Sequence, residues 1–183
     1  MKIKEFRPTI FFLLRFGVFY AVSSVLYGFF IKKYHPLADP LTEWTANHTY
    51  GIMKFLGFDV KKFPTEGYPS IDIFWKDQYA ISVFEGCNGF ILAVLFLVFI
   101  VAFQGSWRKM LWFIPLGFLI IYVLNQIRLI LLAIIAVNYA RHMHFFHKYF
   151  FTGIIYGVIL FLWFWWARLN RTESPKIEKV SAD

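Results

Sequence analysis

Residues 111 to 137 read LWFIPLGFLIIYVLNQIRLILLAIIAV, and the strongly polar members of this run are Asn125, Gln126 and Arg128. At about 1.5 Å per residue such a helix is longer than a hydrocarbon core of roughly 30 Å. It is therefore a membrane helix that is tilted, broken near Asn125, or continued beyond the bilayer. Counting from Leu111 puts Arg128 roughly 25 Å along, close to one edge of that core. Ionisable groups inside a span are costly enough to be functional candidates by default.

Three further apolar runs surround this one, over residues 9–31, 90–103 and 149–167. The chain is 59% hydrophobic and 16% charged, where a soluble domain carries about a quarter charged residues. The expected fold is an all-α integral membrane protein, a single membrane domain over residues 1–183 with about four transmembrane helices. The first run follows a basic opening and lacks a convincing small-x-small cleavage site, so it reads as an uncleaved anchor in which Arg15 snorkels. Residues 32–89 form a small external segment, with four prolines and nearly balanced charge. Within it Leu41, Trp44, His48, Ile52 and Phe55 recur at helical spacing, which suits a helix in the headgroup region. Ile71-Asp72-Ile73-Phe74-Trp75 and Tyr79-Ala80-Ile81-Ser82-Val83 flank Lys76-Asp77-Gln78, the pattern of a short β-hairpin. Residues 138–148 read as an external loop and 168–183 as a charged, unstructured cytoplasmic tail.

The formal charge of +8 does not form one basic face, which argues against a nucleic-acid partner. Lys2, Lys4 and Arg7, the loop pair Arg108 and Lys109, and the tail residues Arg168, Arg171, Lys176 and Lys179 fall on one side of a four-span topology. By the positive-inside rule that side is cytoplasmic. The expected location is the inner (cytoplasmic) membrane, multi-pass, with both termini inside.

Topology then brings three chemically able groups to the external face: Cys87 at the start of the second span, Arg128 in the third and His147 at the start of the fourth. Cys87 is the chain's one cysteine, so it acts as a lone thiol or not at all. A thiolate is the nucleophile, and a helix N-terminus or a nearby cation lowers a thiol's pKa; Cys87 is placed to have both, with Glu85 opposing if it points inward. His147 has the chemistry of a general base and acid. Arg128 is suited to stabilise a thiolate, an oxyanion or a substrate carboxylate, and the residues alone do not choose among these. Asn125, one turn before Arg128, either positions it or makes an interhelical bond. Each residue also has a structural reading: a small packed cysteine, a snorkelling arginine, an interfacial histidine.

Glu85-Gly86-Cys87-Asn88-Gly89-Phe90 after a hairpin, Asn125-Gln126-Ile127-Arg128 inside a later span, and His147 opening the last one together resemble the exosortase and archaeosortase family, in its short F-type form. The likeness covers residues 69–166. It implies a membrane-embedded cysteine transpeptidase that cleaves C-terminal sorting signals of exported proteins, each a short motif, a transmembrane helix and a basic tail. Cys87 would form a thioester that an acceptor resolves, with Arg128 and His147 as the other catalytic residues and Asn125 and Asn88 in support. Many members have Ser where this chain has Asn88, which bears on target specificity. No cofactor and no metal is implied; the partners are the exported proteins and the lipid bilayer.

Two other classes fit the same residues. A membrane acyltransferase would hold a fatty acyl group on the thiol, and a scaffold would only pack these side chains. His142, His144 and His147 lack the spacing of a metal site. Asn47-His48-Thr49 and Asn170-Arg171-Thr172 match a glycosylation sequon by short pattern only. Gly153 and Gly157, at small-xxx-small spacing, are expected to mark helix packing.

Overall fold

The computed structural model describes residues 3–103 and 105–171. The chain runs α1 (Ile3–Lys32), α2 (Pro40–Phe55), β1 (Val60–Pro64), β2 (Ser70–Trp75), β3 (Gln78–Phe84), α3 (Phe90–Phe103) and α4 (Trp107–Asn138). A 3₁₀ turn (Ala140–His142), α5 (Met143–Phe145) and a π-helical turn (Phe146–Phe150) then lead into α6 (Phe151–Arg171). Three helical segments are long and apolar enough to cross a membrane, over Thr9–Lys32, Trp107–Asn138 and Ala140–Arg171, and Phe90–Phe103 is a shorter apolar helix.

Helix α4 is the spine. It passes through Asn125 without a break, and Pro115 lies inside it. Its first half packs with α3 and α6 around Phe96, Phe113, Ile121, Ile159 and Trp166. Its second half packs with α2 and the sheet around Met53, Ile73, Val83, Leu129 and Leu132. The length that exceeds one crossing thus serves to carry a second, sheet-based core. At Gly117 the α4 backbone approaches the fully buried Phe96 ring so closely that a Cβ would lie 2.1 Å from it.

The sheet is antiparallel in the order β1-β2-β3. The hairpin forms as its alternation demands: Ile71 and Ile73 oppose Val83 and Ile81, and all four are buried. Each such side chain contributes about 1.5–3 kcal/mol on burial. The turn is only two residues, Lys76 and Asp77, both at positive φ (51° and 59°), the conformation that suits the strands' right-handed twist. Beyond the expected hairpin there is a third strand, β1, paired with β2 from Val60↔Trp75 to Pro64↔Ile71.

Helix α2 starts where Asp39 accepts hydrogen bonds from the backbone N–H of Leu41 and Thr42, with Pro40 in the first turn. It buries Thr42, Thr45, Ala46, Thr49 and Met53. The stripe of Leu41, Trp44, His48, Ile52 and Phe55 is part-buried or exposed, with Phe55 at 90% exposure, and Trp44 lies tilted against Tyr122 of α4 while His48 meets that ring edge-on. Burying threonines is inexpensive here because Thr45 and Thr49 donate to the carbonyls of Leu41 and Thr45 at 2.9 and 3.0 Å.

Three expectations need correction. Residues 138–148 are mostly helical, because α4 passes to the 3₁₀ turn through Tyr139 alone. The charged tail does not begin at Arg168: α6 is helical through Arg171, and the remaining tail, 172–183, lies outside the described residues, as does Lys2. Gly153 and Gly157 do not mark packing within the chain, since both are exposed and a Cβ at either meets nothing within 4 Å. Gly117→Val should therefore lower the thermal unfolding midpoint of the detergent-solubilised protein, by a destabilisation of about 1–3 kcal/mol. Gly153→Val should alter no internal packing, and any loss should match only its helix propensity; circular dichroism melts compare the two.

Candidate active site

Cys87 lies in the loop of residues 85–89 that connects β3 to α3, and it is 4% exposed. Its N–H donates to the Phe84 carbonyl at 2.7 Å. Its own carbonyl accepts from Asn125 Nδ2 at 2.9 Å, so α4 holds the loop by the backbone at Cys87 itself. Gly89 makes this approach possible. Its φ is +79°, and a Cβ there would come 3.2 Å from the Asn125 amide, so a side chain would be both strained and crowded.

Asn88 turns the other way. Its Nδ2 donates to the Tyr27 hydroxyl of α1 at 2.6 Å and to Thr42 Oγ1 of α2 at 3.2 Å. Its Oδ1 accepts from the Phe90 N–H at 2.9 Å, which satisfies a donor at the start of α3. Thr42 in turn donates to the Asp39 carboxylate. The loop is therefore tied to α1, α2, α3 and α4 by buried polar groups. A second buried link joins Thr49 Oγ1 to Gln126 Oε1 at 2.8 Å. Tyr27, Asp39 and Thr42 escaped the reading of the sequence; the one available signal was Asp39-Pro40 as a helix start, together with threonines recurring at helical spacing.

A groove of about 620 Å³ opens beside this loop. One wall is β3; the other is formed by Leu129, Leu132 and Ala136 of α4 and by the turns that follow it. Cys87 and His147 both line it, and so does His144. His147 sits on the π-helical turn, not in a loop, a local widening of the helix that is frequent at functional sites. His142 is exposed and not among the groove's lining. Arg128 is not in the lining either, but it is half-buried and within electrostatic reach of both Cys87 and His147. Among the described residues three polar atoms of this stretch of α4 are buried without a hydrogen-bond partner: Asn125 Oδ1, Gln126 Nε2 and Arg128 Nε.

Burial pushes the Cys87 thiol above its ordinary range; the positive charge of Arg128 pulls it back only in part, and Glu85 adds a smaller upward push. This differs from the depressed thiol expected from a helix terminus and a cation. The reason is that desolvation of the charged form outweighs both, and that α3 begins only at Phe90, beyond Cys87.

The family model for transmembrane exosortases (Exosortase_EpsH) matches residues 6–165, from within α1 to within α6. The chain belongs to the exosortase family. No curated protein and no solved structure matched it. Membership of the exosortases supports a membrane role of the transpeptidase type, and it covers every element that builds the groove.

In this exosortase the rate of Cys87 alkylation by a small membrane-permeant reagent should rise with pH through a midpoint above that of a free cysteine. Arg128→Gln should move that midpoint further up, because it removes the charge that favours the thiolate. Mass-spectrometric counting of adducts at a series of pH values checks both shifts.

Proposed function

We propose that the protein is a membrane-embedded cysteine transpeptidase that cleaves C-terminal sorting signals from exported proteins and transfers them to a surface or membrane acceptor. The observation that carries this reading is the shared groove of Cys87 and His147, beside the half-buried charge of Arg128, in a chain of the exosortase family.

The chemistry follows from the raised thiol. At rest Cys87 is a neutral S–H. As its sulfur attacks the scissile carbonyl, His147 takes the proton. The carbon–nitrogen bond then breaks, the leaving amine receives that proton, and a thioester remains on Cys87. An acceptor nucleophile, deprotonated by His147, attacks the thioester; the C–S bond breaks, and the Cys87 thiolate takes that proton back from His147. Arg128 supplies positive charge where the oxyanion or the departing thiolate develops. Asn125 acts through the Cys87 backbone as a positioning group.

The orientation belongs to the same proposal: N- and C-terminal ends cytoplasmic, the groove toward the exterior of the inner membrane, and the substrate's basic tail retained inside by the positive-inside rule.

The test is loss of a C-terminal tag from an exported protein that ends in a sorting signal encoded in the same genome. Wild type should remove the tag, and Cys87→Ala and Cys87→Ser should not. Arg128→Ala and His147→Ala should slow it by roughly a hundredfold or more; tag loss that persists in Cys87→Ala refutes the nucleophile. Asn125→Ala should retain the reaction at about a tenth of the rate, the effect of one buried hydrogen bond worth about 1–1.5 kcal/mol, read in the same blot as a time course.

A further inference from the structure

The two edges of the small sheet are chemically unlike. The order β1-β2-β3 leaves β1 and β3 each paired on one side only among the described residues. The β1 edge carries Lys61, Lys62 and Pro64, and lysine and proline are the residues that keep an edge strand from pairing with another chain. Strand β3, Gln78-Tyr79-Ala80-Ile81-Ser82-Val83-Phe84, has no charge and no proline. The sequence thus blocks one edge and leaves the other open.

The open edge is also the one that runs beside the groove. Tyr79, Ala80, Ile81, Ser82 and Phe84 line it. Its volume of about 620 Å³ falls within the roughly 300–1,000 Å³ typical of ligand sites. No Asp, Glu, Lys or Arg is among the described lining residues, so the groove suits an uncharged peptide segment. The strand has a bulge: Ile73 pairs with Ile81 and Phe74 with Tyr79, leaving Ala80 without a partner. A bulge bends its strand and ends regular pairing, which leaves residues 81–84 as the straight portion. These lead directly into the loop that carries Cys87.

We propose that the free edge of β3 is the substrate-peptide site, where an extended segment of the exported protein adds as a fourth strand along residues 81–84 and is carried to Cys87. This rests on the transpeptidase reading for the nature of the ligand. Main-chain hydrogen bonds give such an added strand its affinity, and alternate side chains give it specificity. The side chains turned toward α4 meet Ala136, Ala140 and Met143, which keep exposed surface, above a floor of the buried Leu129 and Leu132; that wall suits small apolar groups. The rest of the segment is held through its backbone, whatever its side chains.

Because Cys87 is the only cysteine in the sequence, Cys87→Ala gives a cysteine-free, catalytically silent background for disulfide mapping. Into it go Ser82→Cys or Phe84→Cys, and Phe63→Cys on β1 as the comparison site; Phe63 is 54% exposed and Phe84 42%. The probe is the tagged exported protein of the cleavage test, co-expressed with single cysteines at successive positions before its transmembrane segment, in membranes oxidised with copper phenanthroline. Strand addition gives cross-links at every second probe position, about fivefold or more above their neighbours. The position of highest yield within that set moves by two between Ser82→Cys and Phe84→Cys, and Phe63→Cys gives none. Cross-links recurring every three or four positions, cross-links without periodicity, their absence from both β3 sites, or equal yield at Phe63→Cys overturn the proposal. The two readings fail separately. A two-residue period without tag loss by wild type removes the transpeptidase and keeps the peptide site. Tag loss without that period does the reverse.

Discussion

One hydrogen bond organises the region around the thiol: the amide of Asn125 on the Cys87 carbonyl, at 2.9 Å. It requires an unbroken α4 to place a polar side chain halfway along a mostly apolar helix, and a glycine at position 89 to let the loop come close. It also fixes the level at which the chain leaves the sheet and enters α3. A buried amide with one group satisfied and the other, Oδ1, without a partner has no lower-energy place to go inside a low-dielectric interior. The loop is held by this bond together with those that its own Asn88 makes with Tyr27, Thr42 and Phe90.

The rest of the architecture divides at this level. On one side, aromatic and aliphatic side chains of α3, α4 and α6 interlock, with Phe99 and Trp163 stacked at 4.3 Å. On the other, a threonine-faced helix and three short strands pack on the continuation of α4. Neither part would be stable in the other's surroundings, since open strands cannot face lipid without leaving backbone groups unsatisfied. The polar groups of Asp39, Thr42, Asn88 and Tyr27 form the seam between them. That seam is where a buried, neutral thiol and a half-buried arginine can coexist, the first because water is scarce and the second because polar atoms are near.

Much of this was legible in the sequence because it depends on periodicity and on rarity. The apolar runs, the alternating hairpin, the lone cysteine and the arginine inside a span are each visible without neighbours. The third strand was hidden because Val60-Lys61-Lys62-Phe63-Pro64 has little alternation and buries Val60 alone; it is a strand only because β2 lies beside it. The threonine face of α2 was hidden for a related reason: hydropathy marks the stripe of Trp44 and Phe55, which stays outward, whereas threonines that bond their own helix bury at little expense. The thiol's pKa was read with the wrong sign because charges are countable in a sequence and desolvation is not. His147 lies on a widened turn, a property of backbone geometry that no residue type announces.

Helix α3 has 14 residues and α4 has 32, which at about 1.5 Å per residue is roughly 21 Å against 48 Å. The two are joined by a short connection, so the upper end of α3 stops far below the tip of its neighbour. A helix of that length cannot hold two full leaflets apart, and lipid beside it must thin or give way to the polar loop. On the proposed transpeptidase reading, a scissile bond at the mouth of a substrate's own membrane helix would then meet the thiol without being lifted clear of the acyl chains, and little of that helix would have to unwind. On that reading bilayer thickness enters the proposed reaction as a variable in its own right, much as ionic strength does for a reaction between charges.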